Sequence, residues 1–336
     1  MRIVLDAMGS DDRPSPDIEG AIIAARDFPG DSIILVGDHN IIDQALSKHN
    51  TTGLKLEIVH ASQIIEMSDK PAAVIKDKPN SSIHVGLDLV KSGAADAFVT
   101  AGNTGATLAI ATLASLGRIS GVKRPALGSI LKVPQSIDKK IILLDIGATV
   151  DAKPEWMTQF ALMGSIYARE VIGINNPKVG LLSNGEEDSK GNQVILDTHK
   201  LLLEMKTVNF VGNIEPKEAL QGGADVIVSD GFVGNIAIKS LEAMGSTIAS
   251  LIRAEAKRDM AALVGALLMR PAFKRLYRQI DPSEIGGAPL LGLKGVVIIG
   301  HGRSNAHAIR NAIRQARLAV ESKLVQAIED GIQAIS

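Results

Sequence analysis

The chain has 336 residues, 46% of them hydrophobic and 22% charged, with 36 basic against 37 acidic side chains. A balance this even excludes a bulk electrostatic nucleic-acid binder, and aromatics at 3% leave no base-stacking surface for single strands. No cysteine is present, which removes disulfides, thiolate metal sites and a cysteine nucleophile.

Short apolar runs that end in Gly, Asp or Asn recur along the chain. Residues 3–6 are the first predicted strand, followed by Ala7-Met8-Gly9-Ser10, and Ser15-Pro16-Asp17 then opens a helix with proline in its first turn. Residues 33–36, 56–59 and 97–100 read as further strands, the last leading through Ala101-Gly102-Asn103-Thr104-Gly105 into a helix over 106–116. Strands at 141–144, 179–182, 226–228 and 296–299 end in Asp145-Ile146-Gly147, Ser183-Asn184-Gly185, Ser229-Asp230-Gly231 and Gly300-His301-Gly302-Arg303. Continuous apolar strands alternating with helices predict a largely parallel sheet covered on both faces. Ligands of such sheets bind beyond the carboxyl ends of the strands, which puts all of these turns at one sheet edge.

Two segments stand apart. Residues 251–279 hold the apolar run 260–269 with seven basic and two acidic side chains around it. Ten apolar residues are too few to span a bilayer, but they suit a membrane surface or a helical hairpin buried in a dimer. At the C-terminus, Ile309, Ile313, Ala316, Val320, Leu324 and Ile328 predict one long amphipathic helix. A division near 150 separates a first α/β lobe (1–150) from a second (151–336), whose last helix is placed to pack back on the first. No signal-peptide core and no run of about 18 apolar residues occurs, so a cytosolic chain is expected.

The turns are rich in donors. Asn103, Thr104 and Gly105 at a helix start suit an anion such as phosphate, through free N–H groups and the helix dipole. Plain turn-capping is the competing reading. The 183–192 loop mixes Glu186, Glu187 and Asp188 with Lys190 and two asparagines, so it could hold a metal, act as a base or pair with phosphate, or be a solvated loop. His301, Arg303 and Ser304 combine a guanidinium fork with a helix start. Asp6, directly after the first strand, is placed to orient a Lys or Arg. G-x-G-x-x-G after a strand, G-x-x-x-x-G-K-[ST], H-E-x-x-H and G-x-S-x-G are all missing.

Seven segments in order resemble the phosphate acyltransferase family, the fatty acyl-ACP:phosphate transacylases of bacterial phospholipid synthesis. They are 5–11 (LDAMGSD), 100–106 (TAGNTGA), 144–155 (LDIGATVDAKPE), 181–192 (LLSNGEEDSKGN), 229–235 (SDGFVGN), 286–292 (GGAPLLG) and 301–304 (HGRS). Where Gly-Ala-Asn is expected, this chain has Gly147-Ala148-Thr149. The resemblance implies a two-lobed αβα sandwich similar to phosphotransacetylase and isocitrate/isopropylmalate dehydrogenase-like folds, as a homodimer. It implies acyl transfer from acyl-ACP to inorganic phosphate, feeding a membrane glycerol-3-phosphate acyltransferase, by a cytoplasmic enzyme touching the membrane peripherally. No cofactor and no metal are expected.

On this reading phosphate attacks the thioester without an acyl-enzyme. Lys190, His301, Arg303 and Asn184 are the catalytic candidates, and Asn103, Thr104, Gly105 and Ser304 hold phosphate. Asp6 and Asp145 orient cations, and Gly185, Gly234 and Asn235 are oxyanion candidates. Arg118, Lys123, Arg124 and Lys132 form a candidate basic rim for ACP, and Leu263, Val264, Leu267 and Leu268 face the membrane. The alternatives are an acyl-CoA-dependent phosphotransacetylase, a decarboxylating NAD(P)-dependent dehydrogenase, or a non-catalytic sensor of acyl-ACP.

Overall fold

The computed structural model describes residues 1–133, 136 and 139–335, the side chains of 277–280 and 282 not being among those described. In chain order its elements are β1 (Arg2–Asp6), α1 (Ser15–Asp27), β2 (Ser32–Gly37), α2 (His39–Leu46), β3 (Leu56–His60), α3 (Pro71–Asp77), α4 (Ser82–Lys91), β4 (Ala97–Thr100) and α5 (Thr104–Leu113). Then come β5 (Ala126–Lys132), β6 (Lys140–Leu144), α6 (Pro154–Tyr167), β7 (Lys178–Leu182), α7 (Gln193–Glu204), β8 (Asn209–Ile214), α8 (Pro216–Gln221) and β9 (Val226–Val228). The chain closes with α9 (Gly231–Glu255), α10 (Met260–Ile280), β10 (Ala288–Leu291), β11 (Val296–Ile299), α11 (Ala306–Glu321) and α12 (Leu324–Gln333).

The strands form one sheet in the order β3-β2-β1-β4-β11-β10-β5-β6-β9-β7-β8. Parallel pairing joins β3, β2, β1, β4 and β11, and also β6, β9, β7 and β8. Between the two runs, β11, β10, β5 and β6 pair antiparallel at every step. Three reversals make the second run point opposite to the first. The expectation that all the turns share one edge therefore fails, because β5 and β10, which cause the reversal, were not read from sequence.

The strands are apolar because both faces are covered. Ile3, Leu5, Ile142 and Leu144 belong to a core shared with α1, α6, α11 and α12, while Val4, Phe98 and Leu127 face a second core with α4 and α5. A fully buried Leu or Ile side chain of this kind contributes roughly 1.5–3 kcal/mol. On β5, alternation puts Leu127, Leu131 and Val133 on one face. Leu127 packs with Ala106 and Ile110 of α5, whereas Val133, and Leu131 beside it, pack with Ile238 of α9. So α5 and α9 cover the same face, one on each half of the sheet, and Ile146 packs against both of their cores.

The last predicted helix is two. Lys323 adopts φ 52, a left-handed position that ends α11 and starts α12, although the apolar spacing runs through it. Strand β11 lies beside β4, and α11 lies on α1, with Arg310 paired to Asp27 at 2.6 Å and Arg317 to Asp31 at 2.8 Å. Helices α9 and α10 make the 251–279 segment helical, with a break between them at residues 256–259, and no helix among the described residues is long and apolar enough to cross a membrane.

Candidate functional site

Strands β1, β4 and β11 are neighbours, so their carboxyl ends bring three turns together. Asp6 Oδ2 accepts from Thr100 Oγ1 at 2.7 Å, and that hydroxyl oxygen accepts from the N–H of Gly102 at 2.9 Å. Asp6 Oδ1 accepts from the N–H of Met8 at 3.0 Å. The Gly300 N–H donates to the Thr100 carbonyl at 2.7 Å, and the Asp11 N–H to the Gly302 carbonyl at 2.8 Å. Burial pushes the Asp6 carboxyl above its ordinary range. Asp6 therefore orders turns through its hydrogen bonds, while the charge of Arg13, itself paired to Glu66 at 2.8 Å, reaches it without an ion pair among the described residues.

Asn103 caps α5, its Oδ1 accepting from the Ala106 N–H at 2.9 Å. Its Nδ2 faces the carbonyls of Glu66 (3.2 Å), Met67 (3.1 Å) and Asp69 (3.1 Å). That amide is thus committed to the 66–69 segment and has no donor left for phosphate. The turn offers instead the N–H groups of Thr104 and Gly105 and the exposed Thr104 hydroxyl. Beside it, His301 is exposed and its Nδ1 accepts from the Arg303 N–H at 3.2 Å. The exposed Arg303 guanidinium has no acid partner among the described residues, and Ser304 is buried next to Gly300.

The second group of turns lies at the ends of β6, β9 and β7. Asp145 accepts four N–H bonds, from Leu127 (2.9 Å), Gly147 (3.2 Å), Ala148 (3.0 Å) and Thr149 (2.6 Å). Burial raises its carboxyl, and these bonds oppose the rise. Among the described residues it holds backbone N–H groups and pairs with no Lys or Arg. Thr149, the departure from the family pattern, turns its hydroxyl to the Pro125 carbonyl at 3.4 Å.

Asp230 caps α9 through the Val233 N–H at 2.8 Å. The N–H of Gly234 donates to the Asp230 carbonyl at 2.9 Å, so Gly234 is no oxyanion donor; it is glycine because a Cβ would collide with the Asp145 carbonyl. Asn235 gives one N–H to the Ile146 carbonyl at 3.0 Å, which leaves its second free.

After β7, Asn184 is exposed, and Gly185 is buried beneath Lys190, whose Cγ would be 2.7 Å from a Cβ there. Lys190 is exposed and without an acid partner among the described residues. Glu186 is pushed up chiefly by the charge of Glu218. Among the described residues no group of His, Asp or Glu is placed to hold a metal ion.

No hydrogen bond or ion pair runs between the two groups of turns among the described residues. What they share is the sheet face under α5 and α9, bridged by Ile146. Of the expected ACP rim, Lys123 and Arg124 are exposed, with Arg124 5.0 Å above the Trp156 ring. Arg118 is exposed and gives one of its N–H groups to the Lys123 carbonyl, and Lys132 lies 3.8 Å from Glu284. Leu263, Val264, Leu267 and Leu268 are 40–78% exposed on α10. Sequence reasoning gave no role to Ser10, Asp17 and Asn213; only Asp17, an acid in the first turn of a predicted helix, carried a signal.

Residues 1–327 match the model of a family described as fatty acid synthesis protein. A phosphate acyltransferase from Dictyoglomus turgidum is 44% identical over 336 residues, covering 100% of this chain and 99% of that one. One from Geobacter sulfurreducens is 44% identical over 333 residues, covering 98% and 94%. Among solved structures, a phosphotransacetylase from Streptococcus pyogenes has the same fold at a TM-score of 0.61 and 19% identity, covering 98% of this chain and 94% of that one.

Proposed function

The chain belongs to the phosphate acyltransferase family, and on that footing we propose that it moves a fatty acyl group from an acyl-ACP thioester to inorganic phosphate. The observation that carries this reading is the start of α5. The N–H groups of Thr104 and Gly105 stand at the end of β4, next to the end of β11, where Arg303 has no acid partner among the described residues. Backbone donors, a helix dipole and a guanidinium fork together fit a phosphate dianion.

Phosphate already carries nucleophilic charge at neutral pH, so the protein's task is placement and charge balance. A phosphate oxygen attacks the thioester carbonyl carbon. The carbonyl oxygen takes up charge against the Gly185 N–H, the free Asn235 N–H and Lys190, and one such donor is worth roughly 3–4 kcal/mol. The C–S bond then breaks, the carrier thiolate leaves and takes a proton, and acyl phosphate remains. His301 and Ser304 line the turn after β11, and Asn184 the turn after β7. Asp6 and Asp145 hold the turns around them rigid.

The exposed Lys123 and Arg124 fit the acidic carrier protein. The exposed apolar residues Leu241, Met244, Ile248 and Leu251 on α9 suit a second copy of the chain. That leaves Leu263, Val264, Leu267 and Leu268, near Lys257, Arg258 and Arg270, to touch an anionic membrane surface on the cytoplasmic side. There a membrane glycerol-3-phosphate acyltransferase would receive the reactive product.

Incubation with palmitoyl-ACP and phosphate, followed by hydroxylamine, tests the reading. Hydroxamate that depends on phosphate is expected. Hydroxamate only with acyl-CoA would instead favour a phosphotransacetylase, and none with either donor would contradict acyl transfer to phosphate.

A further inference from the structure

We infer that Asn213, aimed by a bulge at Gly212 and fixed by His199, is a positioning residue for Lys190. The inference rests on the reading of Lys190 given above and adds the residues that place it.

The loop after β7 has no regular structure to set the direction of Lys190. It is held from the neighbouring edge strand. Pairing of β7 with β8 runs Val179 to Phe210 and then Leu181 to Asn213, so β8 carries one more residue than β7 over that step. Gly212 lies within the step at φ 101, a left-handed value that glycine takes without strain. An extra residue in a strand re-aims the side chains that follow it, and such bulges gather beside active sites.

Here the result is an asparagine only 7% exposed at a sheet edge, with every side-chain polar atom assigned. Asn213 Nδ2 donates to the Glu187 carbonyl at 2.9 Å and lies 3.5 Å from the Lys190 carbonyl. The Glu187 carbonyl also accepts the Lys190 N–H at 2.9 Å, so the amide closes the turn that carries Lys190. These carbonyls decide which end of the amide is nitrogen. The other end, Oδ1, then accepts from Nδ1 of His199 at 2.9 Å.

His199 itself is 3% exposed on α7, with Phe210 edge-on at 5.2 Å, and its Nε2, 3.4 Å from Asp188 Oδ1, makes no hydrogen bond among the described residues, so its Nδ1 contact to Asn213 is the one that fixes the ring. Underneath, the Lys190 stem rests on Gly185. The backbone of Lys190 is thus set from β8, and its stem lies on Gly185 of the same loop. An amide that served the sheet alone would bond within the sheet; this one reaches out to the loop, and the buried imidazole holds it in that direction.

The test is steady-state acyl phosphate formation by Asn213→Asp, which keeps size and acceptor but removes both donors. A fall in kcat of about 10-fold or more is expected, with the KM for acyl donor and for phosphate nearly unchanged. The double variant with Lys190→Ala should be no slower than Lys190→Ala alone. As a second probe, His199→Ala should lose activity and His199→Asn, which restores a donor near Nδ1, should regain most of it. Wild-type kcat in folded Asn213→Asp, or losses that multiply in the double variant, overturns the inference while leaving Lys190 intact. If Lys190→Ala itself keeps wild-type kcat, the Lys190 reading fails, and any loss at Asn213 then acts through another group, which overturns the inference as well.

Discussion

The side-chain amide of Asn235, on the first turns of α9, donates to the carbonyl of Ile146 at 3.0 Å. One hydrogen bond thereby joins the ends of β6 and β9 and leaves the second N–H of the amide pointing elsewhere. The neighbouring Gly147 sits at φ 138, and a Cβ there would lie 2.9 Å from Asn235 Nδ2.

Both residues should therefore matter to the reaction more than to folding. Asn235→Ala is expected to lower kcat by about 100-fold, the usual cost of an oxyanion donor. Gly147→Ala is expected to lower it by at least about 10-fold through displacement of the amide. Kinetics alongside thermal melts check this; losses explained entirely by unfolding would contradict it.

Asn103 should behave in the opposite way. Its amide caps α5 and holds three carbonyls of the 66–69 segment. Asn103→Ala loses the cap and strands those carbonyls, at a cost of about 2–4 kcal/mol. Amide hydrogen exchange should quicken around 66–70 and at the start of α5. A variant of unchanged stability but raised KM for phosphate would show that the amide binds substrate after all.

Asp17 gives the fold a pH dependence. Its carboxyl is wholly buried at the start of α1, with Oδ2 accepting from Ser10 Oγ at 2.5 Å and Oδ1 without a hydrogen-bond partner among the described residues. Burial raises it from 3.8 to about 7, and Asp6 adds a smaller push. The folded state thus keeps a proton that the unfolded chain releases near pH 4. Stability is expected to fall as pH rises from about 4 to about 7 and to level off above, by at most about 4 kcal/mol from this group. Asp17→Asn removes the titration, so its denaturant midpoint should vary less between pH 5 and pH 8. An unchanged slope would contradict a proton held there.

Much of this was legible in the residues. Eight strands announced themselves as apolar runs, seven of them because both of their faces are buried and β3, a part-exposed edge, through Leu56, Ile58 and Val59. Those that did not are β5, interrupted by Gly128-Ser129; β8, a half-exposed edge carrying Gly212 and Asn213; and β10, four residues long with Pro289 inside. Missing β5 and β10 also hid the reversal of the sheet, so turns that sequence placed on one edge lie at the ends of oppositely directed strands. The apolar stripe from Ile309 to Ile328 showed burial and not the break at Lys323, since both helices keep the same spacing. Donor-rich turns were visible as candidates, but which donors remain free is a tertiary fact. Asn103 and Gly234 are consumed by their own surroundings; Thr104, Asn235 and Arg303 are not.

Arg303→Ala, assayed with phosphate as the varied substrate and palmitoyl-ACP saturating, bears on the account most directly. The phosphate KM is expected to rise by about 10-fold or more, with the KM for palmitoyl-ACP little changed, as loss of a charged partner of the anion requires. If turnover and the phosphate KM both stay at wild-type values, phosphate does not bind beside the start of α5.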